Sequence, residues 1–208
     1  LKNESSTTAY IYSPVNSYYT ITISGNLDAP STSASGVFNY GHSSDGRYAF
    51  YTHLKGNFTN SDSGLRIYSY MYFIDNTKVT TFTGSTTFYR DFICTTAGKE
   101  LDFTAGSTQT INGTFTLQGT YGNEVVLRST SSGSAYYITP PSAKTFYYLD
   151  VKDCTSNTYT ITARESQNRG GNTNWTFLAY YWVASADGNW NDANNWSSQS
   201  GGTGGFGV

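Results

Sequence analysis

Two histidines, two cysteines and fourteen carboxylates are the reactive side chains of this 208-residue chain. His42 stands in Tyr40-Gly-His-Ser-Ser-Asp-Gly46. A catalytic triad there would need a nucleophile on a fixed turn and an oxyanion hole beside it. No Gly-x-Ser-x-Gly surrounds it, so a solvated loop is expected from Gly41 to Arg47. Asp150, Lys152 and Asp153 lie on one strand-like run; Asp150 and Lys152 would share a face and Asp153 would point away. Glycosidic cleavage needs two carboxylates at a set separation, one of them held protonated, and this run alone does not supply them. Arg164 and Glu165 are expected to form a surface pair. Asp187-Gly-Asn189-Trp-Asn191-Asp192 spaces oxygen ligands two apart, as a calcium loop does. Asp192 stands where that loop needs Gly, and Ser198 where it needs Glu, so a turn cluster is expected instead. The remaining candidates are Trp182, Trp190 and Trp196, which could stack on sugar rings or pack at a junction between modules.

The elements that would position these residues are strands. Thr, Tyr, Phe, Val and Ile are common, and there are only four Glu and one Met. Apolar side chains recur two apart in Ile21-Thr-Ile23, Phe115-Thr-Leu117, Val125-Val-Leu127, Tyr147-Tyr-Leu-Asp-Val151 and Tyr159-Thr-Ile161, with Gly, Ser, Asn and Asp between the runs. Aromatic residues make up 17% of the chain, enough to bury much apolar surface, which argues against disorder. Twelve Lys+Arg against fourteen Asp+Glu give no basic patch for nucleic acid or an anionic membrane surface. No run of 18 apolar residues predicts a membrane-spanning helix. The start carries no Met and no signal pattern, so a mature or excised chain is expected.

A repeat organises the strands. Phe82, Phe103, Val125 and Tyr147 form one column at steps of 21, 22 and 22. Phe92, Phe115, Tyr137 and Tyr159 form a second, and Cys94, Leu117, Thr139 and Ile161 a third. A period near 22 predicts coils of two or three short strands stacked about 4.8 Å apart. The expected fold is all-β: a right-handed parallel β-helix, or β-solenoid, with inward-facing columns. Residues 1–64 fit less well. Ile23-Ser-Gly-Asn-Leu27 and Leu54-Lys-Gly-Asn-Phe58 are alike but 31 apart. Irregular coils with longer loops are expected there, with a β-sandwich as the alternative for this third. Regular coils are expected over 65–177, and 178–208 reads as a Trp/Asn/Gly-rich linker opening a next module. Cys94 and Cys154 would then lie nearly three coils apart. Even two coils separate equivalent Cα atoms by about 9.6 Å, beyond disulfide reach, so buried reduced thiols are expected. Thr-x-Thr recurs at Thr20, Thr81, Thr114 and Thr160, too irregularly for a flat ladder, so these Thr are expected on outward strand positions. Sequons stand at Asn3, Asn57, Asn112, Asn174 and Asn195, and would be acceptors only in a eukaryotic secretory protein.

Ala97-Gly-Lys99, Phe103-Thr-Ala-Gly-Ser-Thr-Gln-Thr-Ile111, Gly113-Thr-Phe-Thr-Leu117, Val126-Leu-Arg-Ser129, Tyr148-Leu-Asp-Val-Lys-Asp153 and Gly171-Asn-Thr-Asn-Trp-Thr-Phe177 carry a family likeness. The chain resembles the β-helical repeat modules of very large bacterial and phage-associated extracellular surface proteins. Tyr181-Trp-Val-Ala-Ser-Ala-Asp-Gly-Asn-Trp190, Trp196-Ser and Ser200-Gly-Gly-Thr-Gly-Gly205 are similar to the linker that opens such modules. The resemblance implies a secreted or surface-displayed β-solenoid with structural or adhesive duty, no cofactor and no catalytic residues. The expectation is therefore a non-enzymatic structural module of an extracellular filament or fibre. Its partners would be copies of itself or adjacent modules of the same chain. The alternative is a carbohydrate-binding adhesin or phage tail-fibre module that uses Trp182, Trp190 and Trp196 on glycans.

Overall fold

The computed structural model describes residues 19–29, 39–40, 50–60, 66–185, 187–197 and 204–205. His42 with its loop at 41–47, Asn3, Ser198 and 200–203 lie outside the described residues. No α-helix occurs among those described.

The chain winds through three faces in turn. The first coil is β1 (Tyr19–Ile23), β2 (Leu27–Ala29) and β3 (Asn39–Tyr40); the second is β4 (Phe50–Leu54), β5 (Phe58–Asn60) and β6 (Arg66–Ile67). Then come β7 (Tyr70–Phe73), β8 (Thr80–Thr83) and β9 (Thr86–Phe88), and β10 (Phe92–Cys94), β11 (Glu100–Phe103) and β12 (Thr108–Ile111). They are followed by β13 (Phe115–Leu117), β14 (Val125–Ser129) and β15 (Tyr136–Thr139), then β16 (Lys144–Tyr147), β17 (Leu149–Val151) and β18 (Cys154–Ser156). β19 (Ile161–Arg164), β20 (Gln167–Asn168) and β21 (Trp175–Leu178) close the stack. The first face is β1-β4-β7-β10-β13, continued by β16-β19-β21. The second is β2-β5-β8-β11-β14-β17-β20, and the third is β3-β6-β9-β12-β15-β18. Every one of these pairings is parallel. The fold is a parallel β-helix. Because β1, β2 and β3 pair in parallel with the next coil, the β-sandwich alternative for the N-terminal third does not hold; sandwich strands pair antiparallel.

Period-two alternation buries one side of each strand. Leu54, Met71, Phe73, Phe92, Phe115, Leu117, Phe146 and Ile161 line the core from the first face. From the second come Leu27, Phe58, Phe82, Phe103, Leu127 and Leu149, and from the third Ile67, Phe88, Ile111, Tyr136 and Ile138. Rings stack on like rings one coil away: Phe82 on Phe103 at 4.8 Å, and Phe103 on Tyr136 at 4.6 Å. Such contacts add to the burial of each ring.

Three expected steps match the register: Phe82 pairs with Phe103, Phe92 with Phe115, and Cys94 with Leu117. The columns fail beyond them. Val125 pairs with Leu149, and Tyr147 is 42% exposed. Phe115 packs on Phe146 at 5.0 Å, while Tyr137 pairs with Thr108 on the third face. Thr139 also lies on that face, in β15, and Tyr159 is 42% exposed. Of the late members, Val125 and Ile161 are in the core. Coil length is the cause. It is 23 residues from Phe92 to Phe115, 31 on to Phe146, 17 on to Ala163 and 14 on to Phe177. A fixed step drifts out of phase, and a slip of one residue moves a side chain to the opposite face.

Candidate functional site

The C-terminal end of the stack gathers the expected site residues. β19 pairs with β16 on one side and β21 on the other; the far edge of β21 has no strand partner among the described residues. The same holds for β20 on the second face. Trp175 and Phe177 of β21 stack at 5.9 Å and are only partly buried against the core. They form its last apolar layer. A cleft of about 370 Å³ lies over this end, bordered by Ser166, Asn168, Arg169, Phe177 and Tyr181.

Beneath the layer is a buried polar knot. The Cys154 thiol faces the Tyr136 hydroxyl and the Trp175 indole N–H, and Tyr136 is fully buried. Neither Tyr136 Oη nor Trp175 Nε1 has a well-formed hydrogen bond elsewhere among the described residues. Burial pushes Cys154 up to about 12 and Tyr136 well above 10.0. Cys94, on another face, is likewise held at about 12 by burial. Both cysteines are free and buried, as the coil spacing predicts. Such thiols are inert, not nucleophilic.

Beyond Leu178 the chain forms a small antiparallel hairpin, β22 (Tyr181–Trp182) and β23 (Trp196–Ser197). It brings Trp182, Trp190 and Trp196 together. Centroids are 5.1 Å apart for Trp182 and Trp190, 5.3 Å for Trp182 and Trp196, and 5.2 Å for Trp190 and Trp196. Trp196 Nε1 donates to the Trp190 carbonyl at 2.8 Å, and Trp190 is 67% exposed. Trp182 and Trp196 hold the hairpin together, and Trp190 presents a ring to solvent. The Asn and Asp oxygens here serve turns. Asp192 Oδ1 accepts from the Asn194 N–H at 2.9 Å, and Asn189 Oδ1 from the Asn191 N–H at 2.9 Å. The hairpin meets the stack through Tyr180, whose hydroxyl bonds Arg164 and whose ring lies 6.5 Å from Trp196. Arg164 therefore pairs with Tyr180, not with Glu165 as expected. Glu165 occupies a left-handed corner at φ 49°.

Asp150 lies on the second face between two arginines, Arg128 at 2.8 Å and Arg169 at 3.1 Å. Neither arginine stands out in sequence, because parallel stacking brings residues about 20 apart into contact. Lys152 Nζ donates to Ser132 Oγ. Asp153 does turn away, taking φ 59° at a corner and accepting the Gly133 N–H at 2.8 Å. All three are tied to residues about 20 positions away on neighbouring coils. The Thr-x-Thr residues point outward, as expected. No family model, curated protein or solved structure matches this chain.

Proposed function

We propose that the chain is a structural module of an extracellular filament or surface-displayed fibre that joins end to end with copies of itself or with adjacent modules. The observation that supports this most is the edge of β20 and β21, unpaired among the described strands, above a half-covered Trp175–Phe177 layer. A parallel coil edge offers N–H and C=O groups in the register that another coil needs. The motif likeness to repeat modules of large bacterial and phage-associated surface proteins points the same way. Head-to-tail contact is heterologous and grows into filaments where rotation does not close a ring.

The test is electron microscopy and sedimentation of the purified chain, with Phe177→Glu as the end-blocking variant and circular dichroism to check its fold. Concentration-dependent filaments or linear oligomers, lost in a folded Phe177→Glu, are expected. Monomers at every concentration would overturn self-association and leave only joining within a longer chain.

An adhesin reading draws on Trp190, whose exposed ring is backed by Trp182 and Trp196 and could stack on a sugar. Glycan-array binding abolished by Trp190→Ala is its expected result.

A further inference from the structure

Away from both the open end and the tryptophans, a cleft of about 650 Å³ runs along the corner between the third and first faces. It is lined by Tyr70, Tyr89, Arg90, Asp91, Asn112 and Lys144, among others. Successive corners supply it: Tyr89–Asp91 between β9 and β10, 112–114 between β12 and β13, and the turn before β16. With Tyr70, at the start of β7, as a fourth level one coil below Asp91, the trough spans three coil steps of about 4.8 Å, roughly 14 Å.

Its rings are held in place. Tyr89 stacks on Tyr68 at 4.6 Å, and Tyr70 on Tyr51 at 5.0 Å, so each is backed by a second tyrosine one coil away. Its charges are unbalanced. Arg90 Nε is buried with no hydrogen-bond partner among the described residues. No ion pair joins the Arg90 or Lys144 side chain to another described residue. The only acid among the described lining residues, Asp91, is engaged through Oδ1, which accepts the Thr114 N–H at 2.9 Å. Gly113 lies directly over Arg90, where an added Cβ would come within 2.4 Å of the Arg90 carbonyl carbon. The roof at that level is therefore bare backbone.

With Nε shut inside the protein, the terminal nitrogens of Arg90, which have no acceptor among the described residues, are the ones that can take an anion from the cleft. Two cations beside two rigid tyrosine rings, along an open polar trough, suit a ligand with carboxylates on successive apolar-faced rings. We propose that this cleft binds an acidic oligosaccharide of uronate or sialic acid units. Arg90 and Lys144 would take the carboxylates, and Tyr70 and Tyr89 the faces of the sugar rings. The site is independent of end-to-end joining, since none of its residues lies at the C-terminal end.

The test is calorimetric titration of the full chain with trigalacturonate, a glucuronate trimer and a sialic acid dimer, beside a neutral galactose trimer and tri-glutamate. Binding of at least one acidic glycan is expected, with weak binding of the neutral trimer and the peptide. Arg90→Gln and Lys144→Gln, checked for folding by circular dichroism, should each weaken it at least about tenfold. Trp190→Ala should leave it unchanged, which separates this cleft from the adhesin reading. No binding by any acidic glycan, equal binding of the neutral trimer or of tri-glutamate, or unaltered affinity in both cation variants would overturn the proposal.

Discussion

Single positions in this molecule are governed by how closely one coil sits on the next. Gly84, at φ +83°, would place a Cβ 1.9 Å from the Asn60 carbonyl oxygen, so both its conformation and its neighbour demand glycine. Gly84→Ala should destabilise the stack by about 3 kcal/mol, read as a lower denaturation midpoint in urea. Buried titratable groups give a pH signature. Cys94 and Cys154 stand at about 12 in the fold against an ordinary 9.0, both through burial. The unfolded chain therefore loses these protons first. Their contribution to stability is complete below pH 9 and drains away as pH climbs toward 12. Melting temperature should fall over that window, and less steeply in Cys154→Ala when each curve is referred to its own value at pH 8. Asp102 is held at about 6, first by burial and next by the neighbouring Glu100 carboxylate. Its protonated form is the one the fold favours, so this contribution is present below about 3.8 and lost as pH rises through 6. Asp102→Asn should raise the melting temperature at pH 7.5 and make little difference at pH 3.5. The opposite pattern would mean that Arg128 dominates this carboxyl.

Among the elements, strands and corners obey different rules. Strand interiors repeat, since each must match the one below. The Ser24-Gly-Asn26 and Lys55-Gly-Asn57 corners show that a repeat can be real without being regular. Leu27 pairs with Phe58, and the Asn57 N–H donates to Asn26 Oδ1 at 3.0 Å. Asn57 Oδ1 in turn accepts the Thr81 N–H at 3.1 Å, which carries the ladder into a third coil. That 31-residue recurrence is one coil with a longer excursion, not a break in the helix. Corners vary freely because they face solvent: β16 joins β17 through Tyr148 alone, at φ 56°, whereas residues 118–124 separate β13 from β14. Phe146 is the element-scale counterpart. It carries the first-face column on from Phe115 after a 31-residue coil, and its neighbour Tyr147 points outward. Phe146→Ala should cost about 3–5 kcal/mol, while Tyr147→Ala should cost under 1, measured by thermal unfolding.

The whole molecule is a stack, and its stability is a sum over neighbouring layers, not a property of one central core. The C-terminal end is then the weak point, where the Trp175–Phe177 layer has a strand neighbour among the described residues on one side only. If ends join, the melting temperature should rise with protein concentration, and Phe177→Glu should remove that dependence. A concentration-independent melt in the parent chain would count against joining. The sequence by itself determined the class of fold. Alternation of period two, a recurrence near 22 and scarce helix formers leave stacked parallel strands as the way to bury so many aromatic rings. It also separated Cys94 from Cys154, because spacing along a stack is spacing along an axis. Which residue stands on which was decided only in three dimensions. Side chains alternate every residue, so loops of uncounted length at 118–124 and 130–135 leave inside and outside ambiguous between Tyr136 and Tyr137, or Phe146 and Tyr147. The same holds for the clefts and ion pairs. Arg90 and Lys144 are 54 positions apart, and Asp150 lies 22 from Arg128 and 19 from Arg169. Their meeting depends on the summed lengths of the coils between them, which the packing of one layer on the next settles.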